Sequence, residues 1–374
     1  MAVVGAGPAG ACAALAARRL GADVLLLDRA DFPRDKACGD GIAAHALDVL
    51  AGLGVPDAVA GYRPVSALRL VAPGGNQVAR PLPRPAYTVP RTVFDARLVA
   101  AALAAGAGLR RHRVRRVEVT GDRVVLDDVV AARAVVGADG AGSVVRRALG
   151  QGANPRGHVA LAIRGYAPAP AGLAEQRIVT SAAHWPGYAW AFPIGDGRAN
   201  VGYGEVLTGR PLRRGDLLDR LAALLPGVDP GTVTGVRAHH LPLSTRRPVP
   251  GRGRVVLAGD ALSLVNPFTG EGIFYAVLSG ALAGAAAAGS PHAAADRYAA
   301  ALRRRLGRHL RHSSAVAGLA RWRPVVDAVV GAAARDARVF RTLVELGLGD
   351  GRLDLRTVAG MVAAAPGVLR PYFR

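Results

Sequence analysis

"MAVVGAGPAGACAALAARRLGADVLLLDR" (1–29) decides the fold. An apolar strand runs into a Gly-rich turn, an Ala-rich helix follows, and a second apolar strand ends at Asp28. Gly5, Gly7 and Gly10 satisfy G-x-G-x-x-G, with Ala9 inside the motif. The first glycine makes the tight turn, the second lets backbone approach a pyrophosphate, and the third lets helix pack closely on strand. The helix N-terminus then turns its unpaired N–H groups and positive dipole end toward the phosphates. Asp28, 18 residues after Gly10 and followed by Arg29, stands where a ribose-binding acid is expected. This much predicts a dinucleotide site and leaves nicotinamide and flavin both open.

The C-terminal half separates them. "GRVVLAGDALSLVNPFTGEGIFYAVLSGALAG" (253–284) reads as a buried strand, Asp260, a Pro-Phe-Thr-Gly-Glu-Gly turn and a helix. "RAVVGADGAGSVVRRAL" (133–149) adds a strand ending in Gly-Ala-Asp-Gly, and "PRTVFDARLVAAAL" (90–103) an Arg-x-x-Phe-Asp segment. In this order the motifs resemble flavoproteins of the para-hydroxybenzoate hydroxylase type. The resemblance implies FAD, with contacts from Asp28, Arg29, Arg91, Val114, Asp139 and Asp260. Gly270 and Gly272 would leave room for the flat ring, and the helix from Ile273 would turn its positive end toward it.

Residues 61–89 and 156–249 read differently. Short alternating runs such as "SALRLVA" and "RANVGYGEV", separated by Gly and Pro turns, predict an antiparallel sheet. The expected architecture is therefore α/β: a Rossmann-like FAD-binding domain of the glutathione reductase and para-hydroxybenzoate hydroxylase type, an inserted, mainly antiparallel-sheet substrate domain, and a C-terminal helical region. The FAD domain is expected at 1–60, 90–155 and 250–300, the substrate domain at 61–89 and 156–249, and the helices at 301–374. In "PGYAWAFPIGDG" (186–197), Tyr188, Trp190 and Phe192 alternate onto one face of a strand, in a chain with only 5% aromatics. They predict either a wall for an apolar ligand or an ordinary core face.

"RDKACGDG" (34–41) carries Cys38, one of two cysteines, and Lys36, the only lysine. Together with Tyr-x-Trp-x-Phe-Pro and "NPFTGEGI", it resembles the geranylgeranyl reductase family of FAD-dependent enzymes. The resemblance implies saturation of C=C bonds in a long isoprenoid or polyene chain, by hydride from N5 of reduced FAD plus a proton. It places Cys38, Gly39 and Gly41 along the flavin, with Cys38 as the candidate catalytic residue. A glycine turn and Lys36 would lower the pKa of this thiol. Lys36 itself reads as a phosphate or flavin-edge contact or as a surface charge. Electrons would come from NADPH or another external donor.

The net charge of +21 favours anionic partners or an arginine-rich solvated surface. No basic run alternates with aromatics, so nucleic acid is not expected. Two cysteines build neither a disulfide framework nor a metal set. The apolar run 272–289 reads as a buried helix of a cytoplasmic protein. "RYAAALRRRLGRHLRH" (297–312) sets Leu302, Leu306 and Leu310 on one helical face among arginines. That stripe either meets an acidic membrane surface or packs on the domain. A flavin monooxygenase hydroxylating an aromatic or lipid substrate is the main competing activity. A halogenase would need a lysine away from the flavin, and a redox-inert lipid-binding flavoprotein is a third reading.

Overall fold

The computed structural model describes residues 1–209 and 212–353; the end of the expected C-terminal helical region, 354–374, lies outside them. Elements are numbered in chain order. The first sheet contains β1 (Ala2–Val4), β2 (Leu25–Asp28), β6 (Gly108–Arg111), β10 (Val135–Gly137), β16 (Gly251–Arg252) and β17 (Val255–Leu257). They lie in the order β16-β17-β10-β1-β2-β6, parallel except for the edge strand β16. Parallel strands covered on both faces read as unbroken apolar runs, and Ala2–Val4 and Val255–Leu257 are buried throughout.

The covering helices include α1 (Pro8–Arg18), α3 (Arg91–Ala104) and α6 (Ile273–Gly289). Alpha-helices α1 and α6 cross at backbone contact: a Cβ on Gly280 would lie 2.1 Å from Ala9 O, and one on Gly284 2.0 Å from Ala13 O. The apolar run 272–289 is therefore a core helix. No helix among the described residues is long and apolar enough to cross a membrane. Short helices α2 (Ala44–Gly52) and α4 (Val144–Ala148) follow β2 and β10 in sequence, and a small sheet of β7 (Val117–Thr120), β8 (Arg123–Leu126) and β9 (Val130–Ala132) flanks this half.

The second sheet holds β3 (Gly41–Ile42), β4 (Pro64–Val71), β5 (Gln77–Thr88), β11 (Val159–Pro168), β12 (Gln176–Thr180), β13 (Gly187–Pro193), β14 (Arg198–Val206) and β15 (Thr234–Pro242). Its order is β15-β11-β14-β13-β12-β4-β5-β3, antiparallel except for β12 on β4. One face packs Ala189, Ala191, Val201 and Tyr203 beneath α5 (Arg214–Leu224) through Leu217 and Leu221. Register puts Ala162, Gly204, Tyr188 and Thr180 in one row of the other face, and Arg164, Gly202, Trp190, Ile178 and Leu70 in the next. Small residues thus hollow one side of this face, and aromatics stand at its middle.

Three helices close the chain: α7 (Ala294–Leu319), α8 (Arg323–Arg335) and α9 (Ala337–Leu348). Leu302, Leu306 and Leu310 of α7 are buried in the core of the first domain. Of the two readings of this stripe, packing on the domain is the one observed, and its apolar face is spent on the protein itself. Helices α8 and α9 lay Val330, Phe340 and Val344 over Leu68, Val78 and Leu82 of the second sheet.

Candidate active site

A single cavity of about 1900 Å³ runs between the two sheets. At one end it is lined by Gly5, Gly7 and Ala9 of the first turn, by Asp28 and Arg29 after β2, and by Val114. Gly10 stays outside it: a Cβ there would sit 1.8 Å from Gly5 O, so its role is the close packing of helix on strand. Asp28 is fixed at the strand end, its two oxygens accepting from Ala6 N (2.8 Å) and Ala30 N (2.9 Å). Gly7 precedes α1, and no side chain caps the first amides of that helix. Uncapped amides at a Gly-rich turn, with open space at Gly140 and Gly142 opposite, fit a diphosphate.

Asp139 reaches the cavity wall with its oxygens already engaged. They accept from Ser143 Oγ (2.6 Å) and Val144 N (2.6 Å) and so cap α4. Arg91 is buried against Asp95 in a two-bond pair (2.6 and 2.7 Å), with Arg34 on the same carboxylate at 3.3 Å. Its guanidinium faces the cavity as part of that cluster.

Residues 34–41 lie between the two halves and are tied to both. Lys36 lines the cavity and its Nζ pairs with Asp260 Oδ2 at 3.0 Å, so it is not a free surface charge. Burial alone would push Asp260 up, but Lys36 and the nearby His239 outweigh it and hold the carboxyl well below its usual range. Arg164 of β11, fully buried, pairs with Asp35 and donates to Lys36 O (3.1 Å). Asn200 of β14 donates to Cys38 O (2.9 Å) and Asp40 Oδ2 (2.8 Å) while its own Oδ1 accepts from Trp190 Nε1 (2.8 Å). Tyr166 adds a 2.7 Å bond to Asp40 Oδ2. Asp40 holds a left-handed backbone (φ +60°), which aspartate tolerates better than most residues. Its N–H donates to Cys38 Sγ at 3.3 Å and fixes the thiol on the wall.

Burial dominates Asp40 and the Cys38 thiol. It pushes Asp40 up to about 6 against the hydrogen bonds of Tyr166 and Asn200, and one oxygen, Oδ1, has no partner among the described residues. Burial also raises Cys38, more than Arg91 and Lys36 lower it, so the thiol is neutral. The lowered thiol pKa expected from a glycine turn and Lys36 is reversed, because burial outweighs the lowering by Arg91 and Lys36.

The aromatic strand is a wall. The 34–41 loop lies against the rings: a Cβ on Gly39 or Gly41 would be in ordinary contact, 3.4–3.5 Å, with Phe192 or Trp190. On β14, Gly202 leaves the place of Trp190: a Cβ there would be 2.1 Å from Trp190 Cζ2. Tyr188 donates to Thr269 O in the loop that leads to α6. Gly270 and Gly272 line the cavity there with Ile273 and Glu271. Glu271 accepts from Phe274 N (2.8 Å) in the first turn of α6, yet burial pushes it up to about 7.

A family model described as an FAD binding domain matches residues 1–168. A menaquinone reductase of Mycolicibacterium smegmatis is 36% identical over 323 residues, covering 75% of this chain and 74% of that protein. A digeranylgeranylglycerophospholipid reductase of Methanopyrus kandleri is 34% identical over 310 residues, covering 76% of each. The chain belongs to the geranylgeranyl reductase family. It is an FAD-dependent oxidoreductase. The crystal structure of a geranylgeranyl bacteriochlorophyll reductase-like protein from Thermoplasma acidophilum shares the fold, with a TM-score of 0.79 over 99% of this chain and 97% of that one, at 20% identity.

Three parts of this family member's site were missed by sequence reasoning. Glu271 lay in full view inside "TGEG", where the glycines alone drew the reading. Asn200 sits in the alternating run "RANVGYGEV", where a polar residue at an inward position was the available signal. The third is the apolar far arm of the cavity, where Leu68, Leu70 and Ile178 of the sheet face Val326, Val330 and Leu343 of α8 and α9.

Proposed function

We propose that this enzyme saturates C=C bonds of a long isoprenoid chain borne on a lipid head group. Reduction of isoprenoid-like substrates with FAD is the activity its relatives support. The names of two of them, a menaquinone reductase and a digeranylgeranylglycerophospholipid reductase, favour a lipid-borne chain over a free one. The observation that carries the reading is the continuity of the cavity. At about 1900 Å³ it is roughly twice the upper range of an ordinary small-ligand pocket, about 1,000 Å³. One end is built of glycine turns and helix N-termini, and the other of aliphatic side chains from β4, β12, α8 and α9.

In this reading Gly5, Gly7, Ala9 and the start of α1 hold the FAD diphosphate, with Gly10 behind them. Asp28, Arg29 and Val114 flank the adenosine end. Arg91, Asp139 and Asp260 face the middle of the cofactor, and Gly270, Gly272 and Ile273 border the ring with Cys38, Gly39 and Gly41. Bound and reduced, FAD supplies the hydride.

An isolated alkene accepts hydride only when a proton reaches its other carbon. Among the protonated groups of the cavity at neutral pH are the Cys38 thiol and, in part, the Glu271 carboxyl. A general acid works best with a pKa near ambient pH, which favours Glu271 as proton donor and leaves Cys38 to contact the reacting chain. Tyr188, Trp190 and Phe192 exclude water and turn their π faces toward any positive charge that develops. Electrons reach the flavin from NADPH or another external donor.

The test is anaerobic. Holoenzyme reduced in the absence of oxygen and mixed with a polyprenyl lipid should reoxidise its flavin while the product gains a pair of hydrogens. Flavin that stays reduced until air is admitted, with a product that then gains oxygen, would replace this reading with hydroxylation.

A further inference from the structure

The apolar arm of the cavity reaches the surface at the turn between α7 and α8. Leu319, Ala320 and Arg321 line it there with Val325 and with Trp185 of the β12–β13 turn. Trp185 Nε1 donates to Ala320 O (2.9 Å) and Arg321 O (3.2 Å), which clamps the turn to the sheet. The rim is therefore a built feature joined to both sides of the arm.

Its outer surface has an unusual composition. Leu319 is 59% exposed and Trp322 49%, three residues apart, whereas the other large exposed apolar side chains are scattered along the chain. Arg321 and Arg323 flank Trp322 and are exposed. Along α7, before the tip, Arg303, Arg304, Arg308 and Arg311 are exposed as well. The acid of this stretch is Asp327, whose carboxylate is taken by Gly74 N at 2.8 and 2.9 Å. Tryptophan and leucine prefer the headgroup boundary of a bilayer, and arginines around them meet lipid phosphates.

We propose that the α7–α8 turn is a docking tip that seats the mouth of the apolar arm on an anionic phospholipid bilayer. The surface differs from the leucine stripe of α7, which is buried; here the arginines of α7 and the apolar tip beyond it act together. A chain leaving the bilayer would enter the arm without crossing water. The inference rests on the arm being the substrate channel, as proposed above.

The test uses FAD-loaded protein and vesicles of phosphatidylcholine with or without phosphatidylglycerol. Holoenzyme should sediment with the anionic vesicles, less so at high salt. Trp322→Asp/Arg323→Glu should weaken this at least about tenfold and leave FAD content and turnover of a short, water-soluble isoprenoid unchanged. Should that variant fold poorly, brominated-acyl vesicles supply a second reading. They should quench tryptophan emission of the unmodified holoenzyme, and Trp322→Phe should lower the quenching, leaving the share of Trp185 on the same rim. Holoenzyme that stays in the supernatant, a double variant that binds as tightly as the parent, or quenching undiminished in Trp322→Phe overturns the docking tip. Loss of turnover on the soluble chain by the unmodified enzyme would instead strike the reductase reading beneath it.

Discussion

Asn200→Leu tests whether the polar cluster behind Cys38 positions the site. Asn200 is fully buried, and leucine has a similar size, so the change removes hydrogen bonds while adding little strain. Three bonds of 2.8–2.9 Å are lost, to Trp190 Nε1, Cys38 O and Asp40 Oδ2. Asp40 keeps Tyr166, but the Trp190 N–H and the Cys38 carbonyl are left without these partners. A buried polar group stripped of its partner costs about 1–3 kcal/mol, so two cost about 2–6 kcal/mol. The added apolar burial of leucine offsets part of this, leaving roughly 2–4 kcal/mol. For a large chain each kcal/mol moves Tm by about 2 °C, which predicts a fall of roughly 4–8 °C. Slack in the 34–41 loop should also slow turnover, and differential scanning fluorimetry with anaerobic reoxidation kinetics measures both. If the loss of rate acts through Cys38, Asn200→Leu/Cys38→Ala should be no slower than the slower single variant. A variant with unchanged Tm and unchanged turnover would refute the argument, as would single-variant losses that multiply in the double.

Lys36→Met strips Asp260 of its cation; breaking one side of a buried pair costs about 3–5 kcal/mol, and the partial exposure of both groups points to the lower end, read by chemical denaturation. Asp40 gives a pH signature. Its folded pKa, up at about 6, lies above the unfolded value, so its contribution is fully present below the unfolded pKa and is lost as pH rises through about 6. Asp40→Asn should flatten that segment of the stability profile, and a slope that survives would assign it elsewhere. If Glu271 donates the proton, turnover should fall as pH rises through about 7, and Glu271→Gln should be slow and lose that limb. Ile178→Trp narrows the apolar arm, so turnover of a long chain should drop at least about tenfold while a short chain is spared; equal losses on both would mean the chain lies elsewhere.

The first domain was legible because its motifs are backbone requirements written locally. Gly5, Gly7 and Gly10 answer to a turn and a helix within ten residues. The aromatic strand was legible as a face, since alternation fixes sidedness; what covers the face was not. The clustering of Tyr188, Trp190 and Phe192 favoured a wall over a core face, and the structure puts all three on the cavity, with Gly202 beside Trp190 and the 34–41 loop beside Phe192. The leucines of α7 show the same limit from the other side: their period was correct, and only tertiary contact chose protein over lipid. Loop chemistry was least legible, because its partners are distant in sequence. Lys36 meets Asp260 across 224 positions, and Cys38 O meets Asn200 across 162.

That distance explains the lone lysine. The cation at position 36 must reach a single carboxylate oxygen beside His239, with Arg91 and Cys38 close by. Guanidinium is a planar fork of five donors, whereas ammonium is a compact point charge on a flexible stem. Every donor of a fork placed here would need an acceptor in a wall already crowded by Arg34, Arg91 and Arg164, and the nearby acids Asp35 and Asp95 are already paired with arginines. A lysine satisfies Asp260 and asks for little else. It joins the 34–41 loop to the Asp260 turn, while Arg164, Tyr166 and Asn200 join the same loop to the second sheet. The loop is thus the clasp between the half that binds the cofactor and the half that bears the aromatic wall, and Cys38 is held where the two meet.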